Sequence, residues 1–332
     1  MKITIRKPGL LSTVQDLGRL NYLSQAVPVS GAMDTLSARI ANIAVGNDEN
    51  CGLIEFNHSG AAFYTETDVL VALSGDGSFL CNGSEKLPSD RPIFIPTGTN
   101  LFLENNNSGS RSYLAVAGGW DVPEVLGSRS TYLTAQIGGL NCRCLVENDL
   151  LISTVRLTPT SQTIWNSLAG EVISYPHWSI ARSLFLPAER KTIRVMRGRE
   201  FSWFDASSAD EFLSKPFIIG NSSNRMGYHL QGTIMQRILK DELLSTAVTP
   251  GTLQVTNDGN LILLMADCQT TGGYPRIAQV AAVDLALCAQ LKPGDSICFK
   301  EISWREAEKL YIQHKHDMCK LSLAIRQKYG LN

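Results

Sequence analysis

The sequence has no long apolar stretch and no export signal. Its apolar runs, such as Val69–Leu73 and Leu261–Ala266, are only long enough for strands, whereas a membrane-spanning helix needs about 20 apolar residues. The N-terminal segment 1–10 alternates apolar and polar side chains, which is typical of a strand and not of a signal peptide. We therefore expect a cytoplasmic protein with no membrane partner.

Charge of one sign is not in excess either. Lysine and arginine together number 30, and aspartate and glutamate number 31, so the formal net charge is −1. A protein that binds nucleic acid through its phosphates carries a surplus of basic residues. Nucleic acid is therefore not an expected partner.

Familiar cofactor and nucleotide motifs are missing. The sequence contains no GxxxxGK[ST] loop, no GxGxxG fingerprint, no GxSxG, no HExxH and no Met-Lys-Met biotin-attachment tripeptide. Its eight cysteines include no CxxC pair, so we expect reduced thiols and predict no metal site. Whether His314, His316 and Cys319 bind a metal is left open, and a solvated helix face is the favoured explanation for them.

What is present is a run of short apolar segments separated by turn residues. A chain of 332 residues with 44% hydrophobic content is globular and long enough for two domains. The apolar segments have strand length, and glycine, proline, asparagine and aspartate fill the gaps. This spacing favours β-barrels or sandwiches over βαβ units.

Four helices are predicted. The first follows a cap at Asp34 and ends near Val45, and the second runs from Ser207 or Ser208 to before Pro216. A third is predicted over 277–291. The fourth begins with the capping box 303–306 and continues to about Tyr329.

The two halves of the chain show a weak internal likeness. DLGR at 16–19 and VPVSG at 27–31 have counterparts in NRMG at 224–227 and VTPG at 248–251. Because the order is kept, we infer a duplicated β-barrel. The predicted domains are an N-terminal barrel with an insertion over 1–190, a C-terminal barrel over 191–302 and a terminal helix over 303–332.

Five loops combine glycine with arginine, aspartate, glutamine, serine or threonine. Glycine lets the backbone approach a ligand, and arginine presents a planar fork that suits carboxylate or phosphate. Any one such loop is more commonly a turn, but five in one chain favour a site for a small anion or a phosphorylated intermediate. The loops are 13–19, 30–34, 118–131, 222–228 and 267–275.

Segments from these loops also carry a family resemblance. They are TVQDLGR at 13–19, VPVSGAMD at 27–34, YLAVAGG at 113–119, LGSRST at 126–131, NRMGYHL at 224–230, GTLQV at 251–255 and ADCQTTGGYP at 266–275. Together they resemble the carboxyltransferase-like proteins. That family includes the C subunit of bacterial 5-oxoprolinase, part of urea carboxylase (urea amidolyase) and a kinase-inhibitor antagonist of sporulating bacilli.

The resemblance implies a mainly β fold of two cyclophilin-like β-barrel domains with a few helices. It also implies partners, namely the B and A subunits of 5-oxoprolinase. The B and C subunits use ATP, with Mg²⁺, to activate 5-oxoproline by phosphorylation, and the A subunit then completes hydrolysis to L-glutamate. The substrate is a small carboxylate, and no biotin is attached to this chain.

The family match supports positions, and the roles at those positions follow from side-chain chemistry. Catalytic roles are expected for Arg19, Arg129, Arg225, Asp267 and Gln269, with the three arginines holding anions. Substrate or nucleotide binding is expected for Gln15, Asp16, Ser30, Gly31, Asp34, Gly118, Gly119, Ser128, Gln254, Thr270, Thr271, Gly272, Gly273 and Tyr274.

Two alternatives remain open at this level. One is a biotin-dependent carboxyltransferase that acts on urea or a related amide, with biotin carrier and carboxylase on separate proteins. The other is a non-enzymatic antagonist that sequesters a kinase inhibitor. Intact polar loops argue against pure sequestration, and a carboxyltransferase would depend on those separate proteins. An enzyme subunit of 5-oxoprolinase is therefore the preferred expectation.

Overall fold

A computed structural model describes residues 1–105, 109–154, 156–239 and 241–330. The chain packs as two units. Unit 1 comprises Met1–Gly18, Asp34–Arg182 and Asp317–Asn332, and unit 2 comprises Arg19–Met33 and Ser183–His316. Segment 19–33 therefore belongs to the second unit, an exchange that the predicted limits at 190/191 and 302/303 do not anticipate.

The strands of unit 1 form two antiparallel sheets. One sheet has the order β11-β1-β4-β9-β6-β7 and the other β2-β3-β10-β5-β8. In chain order the strands are β1 (Lys2–Pro8), β2 (Leu11–Gln15), β3 (Leu53–Asn57), β4 (Ala61–Thr65), β5 (Val69–Gly75), β6 (Gly77–Cys81), β7 (Glu85–Lys86), β8 (Ile93–Ile95), β9 (Asn100–Asn105), β10 (Arg111–Val116) and β11 (Leu150–Ile152).

Both sheets contribute side chains to one hydrophobic core. Ile3 and Ile5 on β1 are at most 1% exposed, as the strand's period of two requires. Phe79 on β6 meets Phe63 edge to face at 5.1 Å between ring centroids, and Phe56 on β3 at 6.4 Å. Such pairs add to the hydrophobic gain of burial.

The strands of unit 2 form a closed barrel with the order β12-β19-β16-β17-β14-β13-β20, and a small ribbon of β15 and β18 accompanies it. In chain order they are β12 (Thr192–Arg197), β13 (Phe217–Ile219), β14 (Gly227–Gln231), β15 (Thr246–Ala247), β16 (Thr252–Val255), β17 (Leu261–Leu264), β18 (Thr271–Gly272), β19 (Arg276–Val280) and β20 (Ser296–Glu301). The predicted mainly β fold class is confirmed.

Five α-helices and four short 3-10 turns complete the described residues. The helices are α1 (Thr35–Ala44), α2 (Pro159–Leu168), α3 (Ala206–Ser214), α4 (Leu285–Ala289) and α5 (Trp304–Lys328). The 3-10 turns are Leu23–Gln25, Arg182–Leu184, Phe201–Trp203 and Ala282–Asp284.

The two strongest predicted caps are confirmed. The Asp34 carboxylate accepts a hydrogen bond from the Ser37 amide at 2.9 Å at the start of α1. The Ser303 hydroxyl accepts one from the Glu306 amide at 3.2 Å at the start of α5. Each side chain satisfies an amide that the first helical turn leaves without a partner.

One predicted helix is largely wrong, and one helix was missed. Residues 277–280 of the predicted helix 277–291 belong to strand β19, and only Leu285–Ala289 is α-helical. Ile277 and Ala278 are fully buried because β19 lies between β12 and β16, and a short buried apolar run does not reveal its period. Helix α2 was missed, although Thr158 caps it and Pro159 occupies its first turn.

None of the helices in the described residues is long and apolar enough to span a bilayer.

A substitution in the barrel core and one on the surface are expected to differ strongly in their effect on the free energy of unfolding. Phe212 on α3 is fully buried and stacks on Phe299 at 4.8 Å between ring centroids. Phe212→Ala is expected to lower the free energy of unfolding by about 3–5 kcal/mol, because it leaves a cavity. Urea denaturation measures this, with Ile312→Ala on the exposed face of α5 as the control. An equal effect of both substitutions on the free energy of unfolding would contradict the assignment of Phe212 to the core.

Candidate functional site

The predicted site residues fall into both units. Unit 1 contains Gln15, Asp16, Asp34, Gly118, Gly119, Ser128 and Arg129. Unit 2 contains Arg19, Ser30, Gly31, Arg225, Gln254, Asp267, Gln269, Thr270, Thr271, Gly272, Gly273 and Tyr274. Each set is described within its own unit.

Asp16 is the centre of the polar cluster in unit 1. Its carboxylate is 2% exposed and accepts hydrogen bonds from the Ser128 hydroxyl at 2.6 Å and the Ser130 hydroxyl at 2.5 Å. The Arg129 and Gly18 amides donate to it at 2.6 and 2.8 Å. These donors compensate the cost of burying the charge. Asp16 therefore joins the loop after β2 to loop 127–131.

Arg129 presents its side chain beside this cluster. Its guanidinium is 36% exposed and lies 3.2 Å from Glu124. Since an exposed ion pair contributes little to stability, this guanidinium can exchange Glu124 for an anionic ligand.

Gly118 and Gly119 occupy a turn after β10. Both have positive φ, of +86° and +73°. The Gly118 amide donates to Asn47 at 2.8 Å, and its carbonyl accepts from the Thr154 hydroxyl at 2.7 Å. In this structure the two glycines serve the turn, and their assignment to ligand binding stays a prediction.

Gln15 and Asp34 are buried beside other polar groups of unit 1. Gln15 is fully buried, and its amide donates to the Thr13 hydroxyl and the Thr131 carbonyl at 2.9 and 3.1 Å. Its Oε1 meets no donor among the described residues. The Asp34 amide donates to the Tyr113 hydroxyl oxygen at 2.7 Å. Asp34 is thus a helix cap in this structure, and its binding role stays a prediction.

Asp16→Asn tests the cluster. The substitution places an amide NH₂ group among hydrogen-bond donors, so we expect it to cost about 3 kcal/mol of unfolding free energy. The exposed Asp121 provides the control, because Asp121→Asn is expected to change stability by less than about 0.5 kcal/mol. Thermal and urea unfolding measure the stability of both variants. An Asp16→Asn variant as stable as wild type would contradict the interpretation that every donor around the Asp16 carboxylate needs its charge.

A buried ion pair is the centre of the polar cluster in unit 2. The Arg225 guanidinium donates to both carboxylate oxygens of Asp267, at 2.8 and 3.0 Å, and to the Gly31 carbonyl at 2.6 Å. The Ser30 hydroxyl donates to Asp267 at 2.8 Å. Arg225 is 7% exposed and Asp267 5%. The pair therefore ties segment 19–33 to the loop that follows β17.

Backbone geometry at Ser30 and Gly31 is unusual. Ser30 has φ of +56°, a left-handed conformation that costs energy for a residue with a Cβ, and Gly31 follows with φ of +84°. The Ser30 amide donates to the Ala266 carbonyl at 3.0 Å. This contact and the Asp267 contact hold the strained turn in place.

Two neighbours of this cluster are closed to solvent. Arg19 is 1% exposed, and its amide donates to the Val29 carbonyl at 2.8 Å. Burial, with a smaller effect of the Asp267 charge, raises the pKa of Cys268 to about 12. Cys268 is therefore a neutral thiol near pH 7 and not a nucleophile.

The loop after Asp267 is held at several points. Thr271 and Gly272 form β18, which pairs with β15, and the Thr270 carbonyl accepts from the Val248 amide at 3.0 Å. The Gln254 amide donates to the Tyr274 carbonyl at 3.1 Å. A Cβ on Gly272 would lie only 2.6 Å from Nε2 of Gln254. A side chain at position 272 would therefore require the end of the Gln254 side chain to move.

Glu200 also helps to hold the loop after Asp267. Sequence reasoning missed this residue. It is 3% exposed and accepts from Arg276 Nε at 2.8 Å and Nη2 at 2.7 Å. Burial opposes its ionisation, but the hydrogen bonds from Arg276 outweigh burial and lower the pKa of Glu200. Arg276 also donates to the Ala247 carbonyl at 3.2 Å. Nothing in the RGRE sequence at 197–200 distinguishes Glu200 from a surface residue.

Three predicted residues line a cavity of about 480 Å³ in unit 2. They are Gln269, Gly273 and Tyr274, and Arg237 lies in the same lining. Arg237 was also missed, since the segment 232–245 shows no motif. Tyr274 is 38% exposed and lines a second cavity of about 590 Å³ as well. Cavities of this size accept small molecules.

No three histidine, cysteine, aspartate or glutamate side chains of the described residues are grouped to hold a metal ion. All eight cysteines are free thiols. His314, His316 and Cys319 lie on α5, where the His314 ring contacts Phe185 edge to face.

The variant Glu200→Gln tests whether the charge of Glu200 stabilises the segment around Arg276. The test is the pH dependence of the free energy of unfolding. Because the pKa of Glu200 is lowered in the folded protein, the charged form stabilises the fold at and above pH 4.5, its ordinary value. That stability is lost as the pH falls through the lowered pKa. The variant is expected to lose about 2 kcal/mol of unfolding free energy near pH 7, and the deficit should shrink as the pH falls below the ordinary value of 4.5.

The exposed Arg197–Glu301 pair provides the matched control, with side chains 59% and 37% exposed. Glu301→Gln is expected to cost less than about 0.5 kcal/mol. A deficit in Glu200→Gln that does not change with pH, measured by urea unfolding, would show that the carboxylate charge is not what stabilises the loop.

Comparison with known proteins places this fold and these loops in one family. The sequence model of the family described as carboxyltransferase domain, subdomains A and B, matches residues 25–301 of this chain. The chain is 38% identical to the C subunit of 5-oxoprolinase from Escherichia coli, over 92% of this chain and 93% of that protein. It is 35% identical to the Haemophilus influenzae protein of the same name, over 90% and 91% of the two chains.

A solved structure extends the comparison. The urea amidolyase of Kluyveromyces lactis aligns with a TM-score of 0.84 and 28% identity, over 96% of this chain and 20% of that one. The chain belongs to the carboxyltransferase-domain family, which confirms the predicted resemblance. Among these relatives, the C subunits of 5-oxoprolinase match nearly end to end.

Proposed function

We propose that this protein is the C subunit of an ATP-dependent 5-oxoprolinase. Its direct partner is the B subunit, and the A subunit then completes hydrolysis to L-glutamate. One observation carries the proposal. The match to the C subunit of 5-oxoprolinase covers 93% of that protein, whereas the match to urea amidolyase covers 20% of the longer chain.

The reaction needs an activated lactam. In the proposed sequence the carbonyl oxygen of 5-oxoproline attacks the γ-phosphorus of ATP, and the bond to the β-phosphate oxygen breaks to release ADP. Water then adds to the activated carbon, the ring C–N bond opens, and phosphate and L-glutamate leave. In this chain, the role of exposed Arg129 is to hold an anion, and that of Gln269 and Tyr274 is to orient the substrate.

The cavity lined by Gln269 and Tyr274 is a poor match for a triphosphate. Gly272 is packed against Gln254, and the 480 Å³ cavity contains one arginine beside Asp241 and Glu242. No three-residue metal cluster is present among the described residues either. We therefore assign ATP and its Mg²⁺ to the complex with the B subunit, and the lactam to this chain.

A biotin-dependent carboxyltransferase acting on urea or a related amide is the second candidate. The TM-score of 0.84 to Kluyveromyces lactis urea amidolyase supports it. No biotin is expected on this chain, so a separate carrier would supply the carboxyl group.

ADP formation by the assembled A, B and C subunits tests the proposal. Wild-type complex is expected to form ADP only when 5-oxoproline is present. Arg129→Ala is expected to lower kcat/KM at least about tenfold, the effect of losing one charge-assisted hydrogen bond, whereas Arg225→Ala is expected to lower the free energy of unfolding, because it leaves the Asp267 carboxylate buried without its partner. Arg143→Ala is the matched control, since Arg143 is 38% exposed and paired with Asp149.

Thermal unfolding of each variant separates lost binding from lost fold. The absence of 5-oxoproline-dependent ADP formation in a folded wild-type complex would overturn the assignment of 5-oxoproline as the substrate. Transfer of a carboxyl group from carboxybiotin to urea in the same preparation would favour the second candidate.

A further inference from the structure

The cavity beside Tyr274 has a specific chemical character. Its volume is about 480 Å³, and its polar lining includes Arg237, Asp241, Glu242, Asn257 and Gln269. One guanidinium, two carboxylates and two carboxamides complement a small ligand that carries both a carboxylate and an N–H donor. They do not complement a polyphosphate, which the two carboxylates would repel.

Arg237 is held in place by the protein backbone. Its Nε donates to the Leu239 carbonyl at 3.1 Å and its Nη2 to the Asp241 carbonyl at 2.7 Å. The guanidinium carbon lies 5.7 Å from the centre of the Trp203 ring. Phe204 and Arg237 pair in a short antiparallel bridge. Little conformational entropy therefore remains to be lost when a ligand binds.

These contacts leave one edge of the guanidinium for a ligand. Arginine has five N–H donors in a planar fork, and the two carbonyls use one on Nε and one on Nη2. Across the described residues, Nη1 donates to no acceptor. The remaining edge, formed by Nη1 and the second hydrogen of Nη2, matches the two oxygens of a carboxylate.

Another residue of the cavity lining, Tyr274, is also fixed. Tyr274 is held through its carbonyl by Gln254 at 3.1 Å, and Arg276 two residues later is bound by the buried Glu200. A wall and an arginine that are both preorganised favour a ligand of defined shape.

We propose that this cavity binds a small amino-acid-like carboxylate, with Arg237 on the carboxylate and Asp241 or Glu242 on the adjacent nitrogen. The inference deepens the proposed function and rests on it for the identity of the ligand. 5-Oxoproline and its hydrolysis product L-glutamate both have a carboxylate next to an N–H group. Arg237 then becomes the binding residue for the substrate carboxylate, a role the sequence suggested for other arginines.

The KM for 5-oxoproline in the assembled complex tests this assignment. Arg237→Gln is expected to raise KM at least about tenfold, because a charge-assisted contact is lost, and Arg237→Lys is expected to lie between it and wild type. Arg197→Gln is the matched control. Arg197 also lies over a ring of the 3-10 turn Phe201–Trp203, 4.5 Å from Phe201, but is paired with exposed Glu301. Its KM is expected to stay within about twofold of wild type.

Direct binding keeps the two proposals separable. Saturation-transfer NMR of the full chain is run with 5-oxoproline, L-glutamate and acetate as probes. A wild-type complex without 5-oxoproline-dependent ADP formation would contradict the proposed function. The cavity assignment would still hold if 5-oxoproline or L-glutamate bound the wild-type chain and the Arg197→Gln variant but did not bind Arg237→Gln.

Two results would overturn the cavity assignment. One is an unchanged KM in a folded Arg237→Gln complex, and the other is that neither amino-acid probe binds the wild-type chain while the complex is inactive. If Arg237→Gln does not fold, the double variant Asp241→Asn/Glu242→Gln replaces it, since both residues are exposed and Asp241 contacts Arg237 only through its carbonyl. Unchanged KM and unchanged NMR binding in this double variant would then reject the assignment.

Discussion

The ion pair between Arg225 and Asp267 is the interaction on which unit 2 depends. A carboxylate that is only 5% exposed is costly to bury unless its oxygens are matched by donors. Asp267 is matched by Arg225 and by Ser30, and Ser30 comes from the N-terminal segment 19–33. The electrostatic requirement of one carboxylate therefore accounts for a unit that is discontinuous along the chain.

The same requirement recurs wherever a carboxylate is buried near a functional loop. Asp16 gathers loop 127–131 around its oxygens, and Glu200 holds Arg276 beside β15. Buried pairs of this kind position loops without touching a ligand. Arg129 and Arg237 differ from these buried groups, because Arg129 pairs only with partly exposed Glu124 and Arg237 lines a cavity. These two arginines are the ones proposed for binding.

Sequence reasoning predicted local structure well where the signal is local. The caps at Asp34 and Ser303 mark α1 and α5, because a cap satisfies amides within the next turn. It failed at β19, where burial against two neighbouring strands decided the conformation. For the candidate site, it selected Gln269 and Tyr274 in a glycine-rich loop, and their binding roles stay predictions. It did not select Arg237 or Glu200, whose contacts with Trp203 and Arg276 join segments separated along the chain.

By itself the sequence determined the fold class, the family and the loops in which polar residues are concentrated, because each depends on the order and spacing of residue types. Only the tertiary structure decided which charged groups are consumed by the protein and which remain for a ligand. Arg225 and Arg237 look alike in sequence, yet one is 7% exposed and bound to Asp267 while the other lines a cavity. The folded chain makes that distinction, because Arg225 donates to Asp267 and Gly31, which lie far from it in sequence. Arg237 donates only to the nearby Leu239 and Asp241 carbonyls among the described residues.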